Sequence, residues 1–391
     1  MTAPLETETE TEAEEQQFQL INKTDDLPGV VAALAGHDAI AVDLEADSMF
    51  HFTERVCLIQ VGTASHCFLI DPLTVTDLSP LKPLFADHSI KKIFHGADYD
   101  VRCLHRDFGI VINNLYDCEI ACKFLGIRST GLDAVISAFF DVHLDKKFQK
   151  KDWSQRPLPG EMCCYAAQDV QYLIPLCHRL ETAVAEKGRT GWVAEECRDL
   201  AGVRHADPNG RALFMRFKGA GRLDRRTLAA LESLLHTRLA IAEEKDRPPF
   251  KVLNNSVLLK LAQERPKTLS VLKQSGILTK RQFGMCAEQL LTAINAAVAM
   301  PEKELPVYPK KKRKSLPLRA SRRVKALKQW RDKTADRLDL DPGVFLPNAL
   351  VVAIVSANPG QESDLDTVPN LKTWRKENFG KEIVQVINTT K

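Results

Sequence analysis

Ala39-Ile40-Ala41-Val42-Asp43-Leu44-Glu45-Ala46-Asp47-Ser48 is the stretch on which the reading of the fold turns. Its apolar start, Ala39 to Val42, predicts a buried strand. The strand delivers two carboxylates at its end, Asp43 and Glu45, and residues two apart on a strand point to the same side. Like charges held that close raise one pKa unless a cation sits between them, and a divalent metal is the simplest resolution. Taken alone, the pair reads equally well as two solvated groups beyond a strand end. Asp47 reads as a turn residue.

Working outward, residues 17–34 read as a lead-in segment with a short helix at 25–34. Three short strands rich in Val, Ile, Leu and Cys are expected at 39–45, 56–62 and 66–70, the last closed by Asp71-Pro72. Helical spacing at 78–86 is interrupted by Pro80 and Pro83. A fourth strand is expected at 91–95, a helix at 98–108 with Val101, Leu104 and Phe108 on one face, and a fifth strand at 111–115. From Glu119 to about Leu200 the pattern is mostly helical. A meander, then strand–helix–strand, then helices predicts an α/β domain with a mixed sheet.

Past Ala201 the strand pattern ends, and Pro208-Asn209-Gly210 marks a break. The remainder is helical and internally repeated. Arg238, Ala242, Pro249, Leu253, Asn255, Leu261 and Pro266 align with Arg331, Ala335, Pro342, Leu346, Asn348, Ile354 and Pro359, always 93 residues apart. This predicts two small all-α domains, each a helix, a turn at Pro and a second helix. Asn255 and Asn348 are expected to be the N-caps of those second helices.

Of the 391 residues, 27% are charged and 44% hydrophobic, an ordinary globular composition. No apolar run reaches the roughly 18–20 residues a membrane span needs. Thr2 to Gln17 holds six glutamates and no basic residue, which reads as a solvated acidic tail. The ten cysteines form no CxxC pair and suit buried free thiols in a reducing compartment. The net charge of +3 hides an asymmetry: Lys310 to Lys333 contains twelve Lys or Arg and one acid, Asp332. That stripe suits phosphate binding, and equally a solubilising linker.

Two further acidic positions belong with the opening pair. In Phe94-His95-Gly96-Ala97-Asp98-Tyr99-Asp100, either aspartate suits a helix N-cap, leaving the other to project above the strand end. In Tyr165-Ala166-Ala167-Gln168-Asp169, spacing of four puts phenol and carboxylate on one helical face, continued by Tyr172 and Leu176. A buried Asp169 needs a partner. Pro175 should kink or end that helix about a turn past Asp169.

Together these segments resemble the three exonuclease motifs of the DEDD superfamily, in its tyrosine branch: Asp43-x-Glu45, Phe94-His95-Gly96-Ala97-x-x-Asp100 and Tyr165-x3-Asp169. The connecting text is similar to ribonuclease D at Val56-Cys57-Leu58-Ile59-Gln60, Leu115-Tyr116-Asp117 and Asp152-Trp153-Ser154-x-Arg156-Pro157-Leu158. The repeated helical domains resemble HRDC domains. The family spacing selects Asp100 over Asp98. The resemblance implies a ribonuclease H-like exonuclease domain at 17–205 after an acidic tail at 1–16. It further implies a linker at 206–221, HRDC-like domains at 222–299 and 321–391, and a basic Pro-rich linker at 300–320.

It also implies two divalent ions, Mg²⁺ or Mn²⁺, about 4 Å apart across a scissile phosphodiester. Asp43 would bridge both ions, Glu45 and Asp169 would complete the first site, Asp100 would serve the second, and Tyr165 would orient the attacking water. His95 is expected behind the ligands and not among them, because such ions prefer oxygen. Trp153 and Arg156 are candidates for base stacking and phosphate binding, set against a core Trp with an Arg salt bridge. Lys150, Lys151 and the run Lys310, Lys311, Lys312, Arg313 and Lys314 are candidate nucleic-acid contacts.

The expected activity is 3′→5′ hydrolysis of RNA to nucleoside 5′-monophosphates, with tRNA precursors or other structured RNA as substrate and no membrane or obligate protein partner. A DNA exonuclease is the rival enzyme, and a non-catalytic nucleic-acid-binding protein the rival class. Pro309 to Lys314 resembles a nuclear localisation signal. The short lead-in and two HRDC-like domains favour a bacterial cytoplasmic enzyme.

Overall fold

The structure, a computed structural model, describes residues 18–205, 210–309 and 317–390. The acidic tail, Ala206 to Asn209 and the basic run Lys310–Lys314 lie outside the described residues. Those residues fall into two compact units. One lies within Met1–Glu45, Val56–His205 and Leu316–Lys391, the other within Ala46–Arg55 and Ala206–Ser315. No described helix is long and apolar enough to cross a membrane.

The first unit is built on a six-stranded mixed sheet of β1 (Phe18–Ile21), β2 (Ala39–Ala46), β3 (Val56–Gly62), β4 (Cys67–Ile70), β5 (Lys91–Phe94) and β6 (Leu115–Asp117), in the order β1-β4-β3-β2-β5-β6. β2 runs parallel to β5 with Ala41 beside Ile93, and β5 parallel to β6 with Phe94 beside Asp117. The carboxyl ends of the two parallel strands that carry the acidic motifs therefore open at the same edge. β3 pairs antiparallel with β4, and β1 closes the far edge parallel to β4.

Helices α1 (Leu27–Ala35), α2 (Leu81–Ala86), α3 (Asp98–Phe108), α4 (Cys118–Leu125), α5 (Leu132–Phe140), α6 (Gly160–Gln171), α7 (Leu173–Glu186) and α8 (Thr190–Ala201) complete the nuclease-like part. α6 ends at Gln171 and α7 begins afresh, with Pro175 in its first turn, where a missing N–H costs nothing.

Two sequence expectations change here. β1 arises from the lead-in segment read as non-strand; four residues are too short to show a period. The fifth strand is not at 111–115 but at Leu115–Asp117. Residues 111–114 form a loop held by Asn113, which donates its backbone N–H to Phe85 O (3.0 Å) and its amide to Ala86 O (2.8 Å). Asn114 takes a positive φ of 52°, which Asn tolerates, and Val111 faces solvent.

The same unit contains the C-terminal helical domain: α14 (Leu318–Leu338), α15 (Pro342–Phe345), α16 (Asn348–Ala357) and α17 (Thr373–Thr389). Its apolar side chains continue one core with those of the sheet domain. Trp192 of α8 stacks on Trp374 of α17 at 4.5 Å between centroids, and Phe124 meets Trp374 edge-on at 5.5 Å. Glu195 accepts the exposed N–H groups of Thr373 (2.7 Å) and Trp374 (2.9 Å), capping α17 from another domain. Burial pushes the Glu195 carboxyl up, but those N–H bonds outweigh it and hold the group below its ordinary range. Arg189 spans the seam, donating to Phe124 O and Leu338 O, both at 2.5 Å.

The second unit holds α9 (Arg225–Glu244), α10 (Pro249–Val252), α11 (Asn255–Glu264), α12 (Leu269–Gln274) and α13 (Lys280–Ala299) around their own core. It includes the loop 46–55. Asp246 accepts from His51 Nδ1 (2.6 Å) and the Phe52 N–H (3.0 Å), while the Phe52 ring packs on the core. Asp47 is buried, accepting the Arg55 N–H at 2.7 Å.

The repeat is physical, but its asparagines do not cap. Asn254 caps α11 through its bond from the Val257 N–H (3.0 Å), and Pro347 precedes α16. Asn255 and Asn348 are instead the first residues of their helices, and each turns its Oδ1 to an arginine. Arg238 donates to Asn255 (2.8 Å) and Leu253 O (3.1 Å); Arg331 donates to Asn348 (3.0 Å) and Leu346 O (3.3 Å). An arginine on the long helix thus clamps the turn in both copies, which is why these positions share one offset.

Candidate active site

Each acidic residue reaches the site by a separate local device. Asp43 and Glu45 project from β2 on one face. Asp100 depends on the turn between β5 and α3. Gly96, at φ +81°, makes that turn, and the N–H groups of Gly96 (3.0 Å) and Ala97 (2.8 Å) both donate to the Asp117 carboxylate. Asp117 also caps α4, accepting from Glu119 (2.7 Å) and Ile120 (3.2 Å). One buried carboxylate thereby fixes where α3 begins. Sequence reasoning missed this role of Asp117; the signal was an Asp directly ahead of the Cys-Glu-Ile start of a helix.

Neither Asp98 nor Asp100 is an N-cap. α3 starts at Asp98, which pairs with Arg102 at 2.8 Å on the surface. Asp100 is buried, and the charge of Asp43 acts on it.

α6 brings the third motif. It packs on β3 and β4. Its close approach depends on Gly62, where a Cβ would lie 3.2 Å from Val170 Cγ2. Tyr165 and Asp169 share one face of α6, where the phenol lies near enough to act on the Asp169 carboxyl.

The electrostatics follow from crowding. Glu45 is pushed up to about 10, first by burial and then by the charges of Asp43, Asp169 and Asp100. Asp169 rises to about 8 from burial and Asp43, against the lowering effect of the Tyr165 bond. Asp43 rises to about 6 from burial, offset in part by the Leu44 N–H, and Asp100 is driven well above its ordinary value. Burial and the same carboxylates push the Tyr165 phenol upward, so it is no base at neutral pH.

The four acids are within electrostatic reach of one another. Among the described residues, however, no three His, Cys, Asp or Glu side chains are gathered tightly enough to grip an ion as they stand. An all-carboxylate donor set whose protonation is raised by its own members fits a hard divalent cation.

The remaining candidates divide. Trp153 is buried and not available for base stacking; its ring lies 6.0 Å from Tyr165, and Phe148 meets Tyr165 edge-on at 5.8 Å. Arg156 does not face a substrate phosphate. Its guanidinium donates to both Asp71 oxygens (2.5 and 2.6 Å), Trp153 O (2.8 Å) and Cys57 O (2.7 Å). Buried Asp71 demands that partner, so the Trp and Arg brace the tyrosine from behind. His95 bonds to Thr130 O at 2.7 Å through Nε2. Lys150 and Lys151 are exposed, whereas Lys146 and Lys147 pair with Asp133 (2.8 Å) and Glu161 (3.0 Å). All ten cysteines are free thiols.

Comparison with known proteins matches three stretches of the chain. Residues 18–185 match the model of a 3′-5′ exonuclease family, and 227–294 and 320–387 each match the HRDC domain. Ribonuclease D of Escherichia coli K12 is 32% identical over 293 residues, covering 74% of this chain and 77% of that protein. Exosome complex component 10 of mouse is 31% identical over 262 residues, but the chain spans only 30% of its length. The crystal structure of Escherichia coli RNase D, described as an exoribonuclease involved in structured RNA processing, superposes with a TM-score of 0.73. It is 27% identical, over 95% of this chain and 99% of that one.

Proposed function

The chain belongs to the ribonuclease D family, and from that membership we propose that it is a 3′→5′ exoribonuclease acting by two-metal hydrolysis on structured RNA, tRNA precursors included. The observation that carries the reading is the convergence of Asp43, Glu45, Asp100 and Asp169 with Tyr165 at the carboxyl ends of parallel β2 and β5.

Those four carboxylates would hold a pair of Mg²⁺ or Mn²⁺ ions. When bound, the ions supply Lewis acidity that lowers the pKa of water and stabilises charge on the departing 3′-oxygen. Asp43 would be the ligand common to both, with Glu45, Asp169 and Asp100 completing the set. The Tyr165 hydroxyl holds the water in line with the terminal phosphorus. The water oxygen bonds to phosphorus and gives up a proton to solvent, the P–O3′ bond breaks, and the departing 3′-oxygen takes a proton from solvent, releasing a nucleoside 5′-monophosphate and an RNA one nucleotide shorter. Because Tyr165 aligns and does not deprotonate the water, Tyr165→Phe should lower kcat about a hundredfold with KM for RNA unchanged, measured under single-turnover conditions. A rise in KM alone would instead place the phenol in RNA binding.

The test of the whole reading is digestion of matched 5′-labelled RNA and DNA oligonucleotides with and without Mg²⁺. A 3′-shortening ladder on RNA, absent with chelator, is expected. Equal or faster DNA digestion would favour the DNA exonuclease.

The basic run Lys310–Lys314 supports an RNA grip by its charge. Charge reversal across it should weaken binding and flatten the log–log salt slope by about 0.7 for each phosphate no longer neutralised. An unchanged slope returns it to a linker. Ribonuclease D of Desulfotalea psychrophila is matched along its whole length, over 96% of this chain. With the two HRDC domains, this supports a bacterial cytoplasmic setting over a nuclear one.

A further inference from the structure

Gln60 sits in the middle of β3 with no exposed surface, and neither Oε1 nor Nε2 has a hydrogen-bond partner. A fully buried primary amide that bonds to nothing is a poor choice on a strand otherwise made of Val, Cys, Leu, Ile and Gly. Its position identifies what it is for. Gly62, two residues along and on the same face, points at Val170 of α6, and its Cβ would lie 3.7 Å from the Ala41 Cβ on β2. On the other side, Gln60 is level with Leu69 of β4, which belongs to the cluster around Tyr165 and Ala166. Gln60 therefore lies beneath α6.

β2 and β3 are neighbours in the sheet and are joined by nine residues, too few for a parallel crossover, so they run antiparallel. With Gly62 beside Ala41, two steps back along β3 match two steps forward along β2. Gln60 comes level with Asp43, on the face that Ala41, Asp43 and Glu45 share.

We propose that Gln60 is the positioning residue of Asp43: its Nε2–H groups hold one carboxylate oxygen of Asp43 when the acids close on their ions, leaving the other lone pairs to the metals. The inference rests on the reading of Asp43 as a metal ligand. A donor to a ligating carboxylate orients it and favours its charged form, and loss of such a group typically costs 10–100-fold in metal affinity or activity.

The test uses the full chain carrying Gln60→Met, with Gln60→Leu as a second apolar replacement of similar volume. Mn²⁺ binding is followed by calorimetry, thermal unfolding in chelator by circular dichroism, and hydrolysis of labelled RNA by single-turnover kinetics. The expected result is a fall in Mn²⁺ affinity of about 10–100-fold in both variants. A lower kcat, an unchanged KM for RNA and an equal or higher unfolding temperature without metal should accompany it. Variants that melt higher but bind Mn²⁺ and turn over as the unsubstituted protein does would overturn the proposal, leaving the amide a liability of the fold. If the unsubstituted chain itself binds no Mn²⁺, the metal reading of Asp43 fails and this inference falls with it.

Discussion

Asp43→Asn should abolish Mg²⁺-dependent release of 5′-mononucleotides, lowering the single-turnover rate at least about a thousandfold, while RNA binding and folding persist. The size follows from the position. Asp43 is the residue whose charge acts on all the others: it raises Glu45, Asp169, Asp100 and Tyr165. On the two-metal reading, neutralising a ligand central to the cluster would take charge from both ions, and metal stabilisation of a phosphoryl transition state amounts to several kcal/mol. Asn keeps the shape and one oxygen, so the chain should reach the same architecture. Residual activity near that of the unsubstituted protein would end the two-metal reading.

The same substitution should act on stability with the opposite sign. Asp43, Asp169 and Glu45 titrate above their ordinary 3.8, 3.8 and 4.5, at about 6, 8 and 10. Each therefore contributes stability that is complete below about pH 4 and is lost as pH rises through the raised value. In chelator the unfolding temperature should fall between pH 4 and 8, and Mn²⁺ should restore it. Asp43→Asn removes both a buried charge and the repulsion on its neighbours, so in chelator at pH 8 it should melt higher than the unsubstituted chain. Melting curves with chelator and with Mn²⁺ measure both effects. A pH-independent curve in chelator would mean that the carboxylates do not crowd one another.

What could be read from the letters was whatever depended on period and local spacing. β3 and α3 fall at their expected residues because one is a run of seven residues with Gln60 as its single polar member and the other an amphipathic run of eleven. Asp43, Glu45 and the Tyr165–Asp169 pair were legible because strand and helix spacing alone puts them on a face. The adjacency of β2 and β5 was not, since register belongs to the sheet and not to any segment. Trp153 and Arg156 stayed open between nucleic-acid contact and a core Trp with an Arg salt bridge for a similar reason, and the structure gives the second. Their role is set by Asp71, 85 residues before Arg156 in the chain and unbalanced without it. Asn255 and Asn348 looked like caps because Asn often is one; the arginine opposite each was in the repeat but not connected to it. Gln60 was visible only as a letter in a motif, and its lack of partners is a property of the packed state.

Trp374→Ala should destabilise the first unit by about 3–5 kcal/mol, the usual cost of truncating a fully packed aromatic. The ring is buried. It is stacked on Trp192 at 4.5 Å with 17° between planes, met edge-on by Phe124 at 5.5 Å, and bonded through Nε1 to Glu196 at 3.2 Å. Truncation leaves a cavity against two large side chains that cannot collapse into it, because Trp192 is also fixed by Phe379 at 5.7 Å. Glu196 additionally loses a donor, though Arg375 still pairs with it at 3.0 Å. A unit of this size loses about 2–4 °C per kcal/mol, so a drop in unfolding temperature on the order of 10 °C is expected in calorimetry. The informative feature is which transition moves. One continuous core running from the sheet to α17 makes the nuclease and the second HRDC domain melt as a single cooperative step. Trp374→Ala should shift that entire step, even though Trp374 lies in the HRDC sequence. Two resolved transitions, with the one that abolishes RNA hydrolysis unmoved, would show that the C-terminal domain merely rests against the nuclease. A single shifted transition makes it part of the enzyme's stability, with the Glu195 cap on α17 and the Arg189 and Arg375 contacts as further ties between the two.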